Sequence, residues 1–232
     1  TDFRLCCQER HLPWLLDTAM GLDVAIREET EDVAGLSLQG PTSCAVLKRA
    51  GFADIETLKP FDLVEFPPAA DGSRVMVSRT GFSGDLGYEL FVAPAGALAL
   101  WDRLVTAGAL HGLRAIGFAA LDIARLEAGF LTANVDFVTA DHAIQPARRR
   151  SPFEIGLGWL VDLTKPGYFV GRRALAAEQR RKSSRYVLAR LEIDGDVPAD
   201  HALVYAGQKK EVGHVTAAAW SPTTKRNLAL AS

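Results

Sequence analysis

Glu89 is the side chain in this 232-residue sequence whose neighbours best suit it to chemistry. It closes the run Ser78-Arg79-Thr80-Gly81-Phe82-Ser83-Gly84-Asp85-Leu86-Gly87-Tyr88, in which glycine recurs at every third position and an aromatic stands between the first two. Glycine at 81, 84 and 87 allows positive φ and lets a flat ligand approach the backbone, which side-chained residues would resist. Period-two alternation then sets Tyr88, Leu90 and Val92 on one strand face and Glu89 on the other, isolating one carboxylate at a strand opening. The other use of the same residues is a glycine-rich hairpin connection with Glu89 in solvent. The G-x-x-G-x-x-G spacing is neither the dinucleotide fingerprint nor a P-loop, since no Lys-Ser or Lys-Thr follows. Gly81-Phe82-Ser83-Gly84 also misses the nucleophile elbow, its second glycine arriving one residue early, which leaves Ser83 as a turn hydroxyl.

The elements that would carry this loop are legible as patterns. Residues 75–78 and 88–92 read as its flanking strands, preceded by a strand over 33–38 and a helix over 42–50 that starts at Thr42 or Ser43 and ends at Gly51. Residues 95–107 form an amphipathic helix with Leu98, Trp101, Leu104 and Val105 inward. A helix over 118–127 follows. Nearer the start, residues 3–8 read as a strand and 12–20 as a helix with Pro13 in its first turn. From about residue 183 the texture changes to short alternating runs, 186–191 and 211–216, set off by Gly195-Asp196 and Gly207-Gln208. The expected class is therefore α+β: antiparallel or mixed sheets with packed helices over residues 1–178, a linker at 179–184, and a small all-β barrel from 185 to 232.

Composition narrows the classes of partner. A net charge of −2 and a pI near 6.2 give no electrostatic footprint for nucleic acid, so none is expected. Arg148-Arg149-Arg150 and Arg180-Arg181-Lys182 are basic runs of the kind that usually face solvent. No stretch approaches the roughly 20 apolar residues that span a bilayer, so no membrane partner is expected either. Three cysteines, two of them adjacent at Cys6 and Cys7, do not make a disulfide framework, and a reducing, cytoplasmic compartment is the default. The five histidines are scattered without metal-ligand spacing.

Five blocks together resemble the folate-binding domain of the aminomethyltransferase family, the T-protein of the glycine cleavage system and its relatives. They are Leu38-Gln39-Gly40-Pro41; the loop from Ser78 to Leu90; Gly117 to Gly129, containing Arg125-Leu126-Glu127-Ala128-Gly129; Gly156-Leu157-Gly158-Trp159 with Gly167-Tyr168-Phe169-Val170-Gly171-Arg172; and Gly213-His214-Val215-Thr216 with Ser221-Pro222. The resemblance implies that Glu89 grips a pterin. A carboxylate suits that task, because it accepts two parallel hydrogen bonds from a ring N–H and an exocyclic amino group. Phe82 stands where the family often has tyrosine, keeping a stacking face and losing a hydroxyl. Gln8 stands where the family often has a folate-contacting asparagine; it is either a pterin-edge amide or a polar strand end. Arg125 either contacts ligand or pairs with Asp122 three residues back.

Two departures qualify the resemblance. Many T-proteins carry arginine immediately before the acidic position of the Arg-Leu-Glu-Ala-Gly helix, and here Leu121 precedes Asp122. Sarcosine and dimethylglycine dehydrogenase relatives commonly have an apolar residue there. The family's catalytic aspartate precedes the first strand and would fall upstream of Thr1; Asp2 aligns with the turn into that strand and is not given the role. No catalytic side chain is therefore assigned, and both ends of the sequence read as cut, with further polypeptide expected on each side. The resemblance implies a tetrahydrofolate-dependent one-carbon transferase, taking its carbon from a small-molecule donor or a carrier protein. The alternative is a non-catalytic folate-binding or assembly protein of the same fold. Lys165-Pro166-Gly167-Tyr168-Phe169-Val170-Gly171-Arg172 lacks the cysteine and Gln-Glu of the iron–sulfur assembly relatives, which counts against that branch.

Overall fold

The computed structural model describes residues 3–7, 10–67, 72–140 and 142–232. Among them the chain forms, in order, α1 (Leu12–Ala19), β1 (Ala34–Gln39), α2 (Ser43–Arg49), β2 (Leu63–Phe66), β3 (Val75–Ser78), β4 (Gly87–Val92), α3 (Pro94–Gly108), α4 (Phe118–Ala128), α5 (Arg172–Arg181), β5 (Ala189–Ile193), β6 (Leu203–Ala206), β7 (Lys210–Ser221) and β8 (Arg226–Ala231). The strands make two four-stranded antiparallel sheets, ordered β1-β4-β3-β2 and β5-β8-β7-β6. The fold is α+β. Two compact units contain these sheets, one spanning Arg27–Phe130 and the other Thr1–Ile26 with Leu131–Ser232.

In the Arg27–Phe130 unit, alternation along β3 and β4 does what the sequence requires. Val75, Val77, Tyr88, Leu90 and Val92 are buried on one sheet face against Val46, Leu47, Leu100 and Leu104 of α2 and α3. The opposite face carries Ser37, Ser78 and Glu89 in one cross-strand row, because Glu89 pairs in register with Ser37 on β1 and Ser78 on β3. The inward face of α3 differs from expectation. Gly96, Leu100, Leu104 and Ala107 are buried, whereas Leu98 is 71% exposed and Trp101 and Val105 also face outward. Leucines and small residues share this seam, and a Cβ added at Gly96 would stand 3.0 Å from the Val92 side chain. Close approach at Gly96 helps to select the buried face. Thr42 precedes α2 without a side-chain cap, and Ser43 instead donates its hydroxyl to the Leu86 carbonyl at 3.3 Å.

In the other unit β8 lies between β5 and β7, and Val215, Ala217, Ala229, Leu230 and Ala231 are buried. Two buried carboxylates fasten loops there. Asp136 accepts from the Thr132 amide and the Thr216 hydroxyl, each at 2.8 Å, and Glu154 accepts from the amides of Ser151 (3.1 Å) and Arg185 (2.8 Å). A buried carboxylate is tolerated when donors surround it in this way. Residues 179–184, expected as a linker, begin as the last turn of α5, which continues to Arg181 and ends on Lys182 at φ 51°. Arg180 and Arg181 suit the negative end of the helix dipole, so a basic run that looked like a solvated link belongs to a helix terminus. Residues 3–7, expected as part of a strand, are irregular. Alternation alone does not supply the neighbouring strand that a ladder needs. Asp2 and Gln8 lie outside the described residues.

Candidate functional site

Glu89 occupies the middle of the polar row, on the face of β4 opposite the core. The chain leaves β3 at Ser78 and turns at once, so that Thr80 comes back beside β4 and donates its hydroxyl to Glu89 Oε2. Ser78 Oγ and Thr80 Oγ1 are themselves hydrogen-bonded at 2.8 Å. One carboxylate oxygen is thus anchored by the loop, and Oε1 has no part in that anchor.

The glycines serve this loop differently from expectation. Among 81, 84 and 87, only Gly84 has positive φ (78°). Gly81 and Gly87 instead make room for the Gln39 carboxamide: an added Cβ would meet Gln39 Nε2 at 2.5 Å from position 81 and 2.6 Å from position 87. Gln39 Nε2 donates to Ser37 Oγ (3.0 Å), to the Thr80 carbonyl (3.3 Å) and to the Tyr88 carbonyl (3.4 Å), and Oε1 accepts from Ser83 Oγ at 3.1 Å. A flat group does lie in the glycine cradle, and it is the protein's own amide. Ser83, read as a turn hydroxyl, helps to hold it.

Gly84 marks the loop's contact with α4, since a Cβ there would stand 2.5 Å from Ala128 Cβ. The helix ends on Gly129 at φ 73°, with Phe130 N donating to the Arg125 carbonyl at 2.8 Å. This turn lays Phe130 on Phe82, ring centroids 5.6 Å apart and planes 21° from parallel. Both rings keep an open side, 36% and 38% exposed. Arg125 is 1% exposed; its Nε donates to Asp122 Oδ1 at 2.7 Å and its Nη1 to the Phe130 carbonyl at 3.1 Å. The geometry therefore joins Phe82 and Arg125 through Phe130, and the loop that carries Phe82 to Glu89 through Thr80. Gln39, Ser78, Thr80 and Phe130 received no individual role from the sequence. The signals were present in strand parity, which puts Ser78 beside Glu89, and in the aromatic that follows Ala128-Gly129.

Behind the row, buried Tyr88 faces Cys44. Burial first, and the hydrogen bond to Cys44 second, push the Tyr88 phenol up to about 12 from its usual 10.0, so a neutral phenol backs the strand that carries Glu89.

A carboxylate fixed by one hydroxyl, on a strand whose preceding loop carries an aromatic side chain, has the acceptor chemistry to pair with N–H donors. Comparison with known proteins gives the family. The GCVT N-terminal domain family matches residues 3–165, and the glycine cleavage T-protein C-terminal barrel domain matches residues 186–232. The chain belongs to the aminomethyltransferase family. It is 37% identical over 228 residues to the trimethylamine-oxide aldolase of Ruegeria pomeroyi, covering 94% of this chain and 27% of that protein. It is also 37% identical over 220 residues to the aminomethyltransferase of Streptomyces coelicolor (94% and 56%), and 33% identical over 224 residues to that of Alkaliphilus metalliredigens (96% and 58%). The crystal structure of glycine cleavage system aminomethyltransferase T from Bartonella henselae shares the fold, with a TM-score of 0.70 at 24% identity over 94% of this chain and 56% of that one. The chain spans little more than half the length of the aminomethyltransferases it matches.

Proposed function

We propose that the protein carrying this chain is a tetrahydrofolate-dependent one-carbon transferase in which Glu89 holds the pterin. The observation that carries this reading is the placement of Glu89: a lone carboxylate on the outer face of β4, with Oε2 anchored to Thr80 of the loop that also carries the partly exposed Phe82. The residues fit the ligand. Glu89 would accept from the pterin N–H and amino edge, and Phe82, backed by Phe130, would supply an apolar face for the ring. Bound there, a reduced folate supplies the nitrogen that takes up an activated methylene, methyl or aminomethyl carbon. The chain's own contribution is to hold that nitrogen in place, so that transfer becomes effectively intramolecular.

Two observations favour a donor with an N-linked one-carbon group over glycine cleavage itself. Leu121 stands where many T-proteins have arginine, and one relative is a trimethylamine-oxide aldolase. The partners in this reading are a small methylated donor or a carrier protein bearing an aminomethyl group, with no nucleic acid and no membrane, in the cytoplasm. No helix among the described residues is long and apolar enough to cross a membrane. The test is a donor screen with the full-length protein and tetrahydrofolate, following the one-carbon folate product by mass spectrometry. Product from a methylated amine or amine oxide supports the reading. Folate binding without product from any donor class points to a non-catalytic binding protein.

A further inference from the structure

We propose that Thr80, with Ser78 behind it, is the positioning residue that aims Glu89, and that this hydroxyl pair sets selectivity for ligands carrying an amino group on the bound edge. The inference rests on the folate reading and deepens it. The single Thr80 hydroxyl proton is donated to Glu89 Oε2. Thr80 Oγ1 then accepts from Ser78 Oγ at 2.8 Å, which fixes the direction of both hydroxyl protons of the pair. The pair is built by topology. Ser78 is the cross-strand partner of Glu89, and Thr80 is folded back over it by a loop whose Thr80 carbonyl is held by Gln39. A glutamate side chain has three rotatable bonds and loses rotamer freedom when it binds a planar edge; an oxygen already pinned loses less. Thr80 touches no ligand atom in this scheme and acts through Glu89 alone.

A fold role and an aiming role separate by ligand. Binding of 5-formyltetrahydrofolate and of its 2-desamino analogue is measured by calorimetry for the full-length parent, Thr80→Val and Thr80→Ser. Thr80→Val should bind the amino-bearing ligand, which makes two bonds to Glu89, about tenfold more weakly than the parent, lose only about threefold for the desamino ligand, which keeps one, and be rescued by Thr80→Ser. Equal losses for both ligands, or failure of Thr80→Ser to restore binding, overturn the inference. If Thr80→Val does not unfold cooperatively, Ser78→Ala takes its place with smaller losses, again larger for the amino-bearing ligand; equal losses again overturn it. A folded parent that binds neither ligand overturns the folate reading, and this inference with it, whereas a parent that binds normally beside a Thr80→Val protein of unchanged affinity overturns this inference alone.

Discussion

Gly87→Ala should destabilise the protein when Gln39 is present and stop doing so when Gln39 is removed. Gly87 does not take positive φ, so the backbone itself accepts alanine. The obstacle is the Gln39 amide, which the new methyl would overlap, its Nε2 lying only 2.6 Å away. Expelling that amide forfeits donations to Ser37, Thr80 and Tyr88 and the bond from Ser83. Two amide protons serve three acceptors at 3.0–3.4 Å, and one further proton arrives from Ser83, so about three bonds are at stake. At roughly 0.5–1.5 kcal/mol each, with partial replacement by water on this half-open face, the loss is about 2 kcal/mol. Against it stands about 0.4–1 kcal/mol gained because alanine restricts the unfolded chain. Gly87→Ala alone should therefore cost about 1–1.5 kcal/mol. In a Gln39→Ala background only the unfolded-state gain remains, and the same substitution should be neutral or stabilising. Equilibrium urea unfolding of the four proteins, compared by midpoint at constant slope, reads the coupling. Additive effects would refute the view that Gly87 exists to admit Gln39.

Three further outcomes follow from buried groups. The folded Tyr88 phenol titrates at about 12, above its usual 10.0, so the stability it contributes is full below pH 10 and is lost as pH rises through 12; Tyr88→Phe should flatten the fall in urea midpoint across that window. Arg125→Met should lower stability by about 2 kcal/mol in thermal unfolding, mainly through the Phe130 carbonyl it abandons, because the Asp122 side chain is 58% exposed and can return to water. Arg125→Lys should not rescue it, since one ammonium cannot reproduce the guanidinium fork. Thr216→Val should cost about 1–3 kcal/mol by leaving buried Asp136 Oδ1 without its 2.8 Å donor, and a cost near zero in urea unfolding would show that the pair does not fasten the 131–137 loop to β7.

The sequence showed the strands around the glycine loop and the parity of Glu89 because both depend on a period of two along a single chain. The buried face of α3 was misread in part: Leu98 and Trp101 are large and apolar, but Gly96 is buried instead, close against Ser73, which is 23 residues away in sequence. The same limit hid the use of Gly81 and Gly87, which depends on a side chain more than forty residues away, Gln39. Of the candidate binding residues, Phe82, Glu89 and Arg125 fall in one unit; Phe130 joins Phe82 to Arg125, and Thr80 of the Phe82 loop bonds Glu89. Arg125 offered an ion pair or a ligand contact on sequence grounds, and the geometry gives it Asp122 and the Phe130 carbonyl.

The most direct test of the Glu89 assignment is calorimetric titration of 5-formyltetrahydrofolate into the full-length protein and its Glu89→Ala variant, with cooperative unfolding of both verified first. A carboxylate gripping the pterin edge predicts saturable binding by the parent that weakens about 10- to 150-fold in the variant. Equal binding by both proteins, or none by the folded parent, would contradict it.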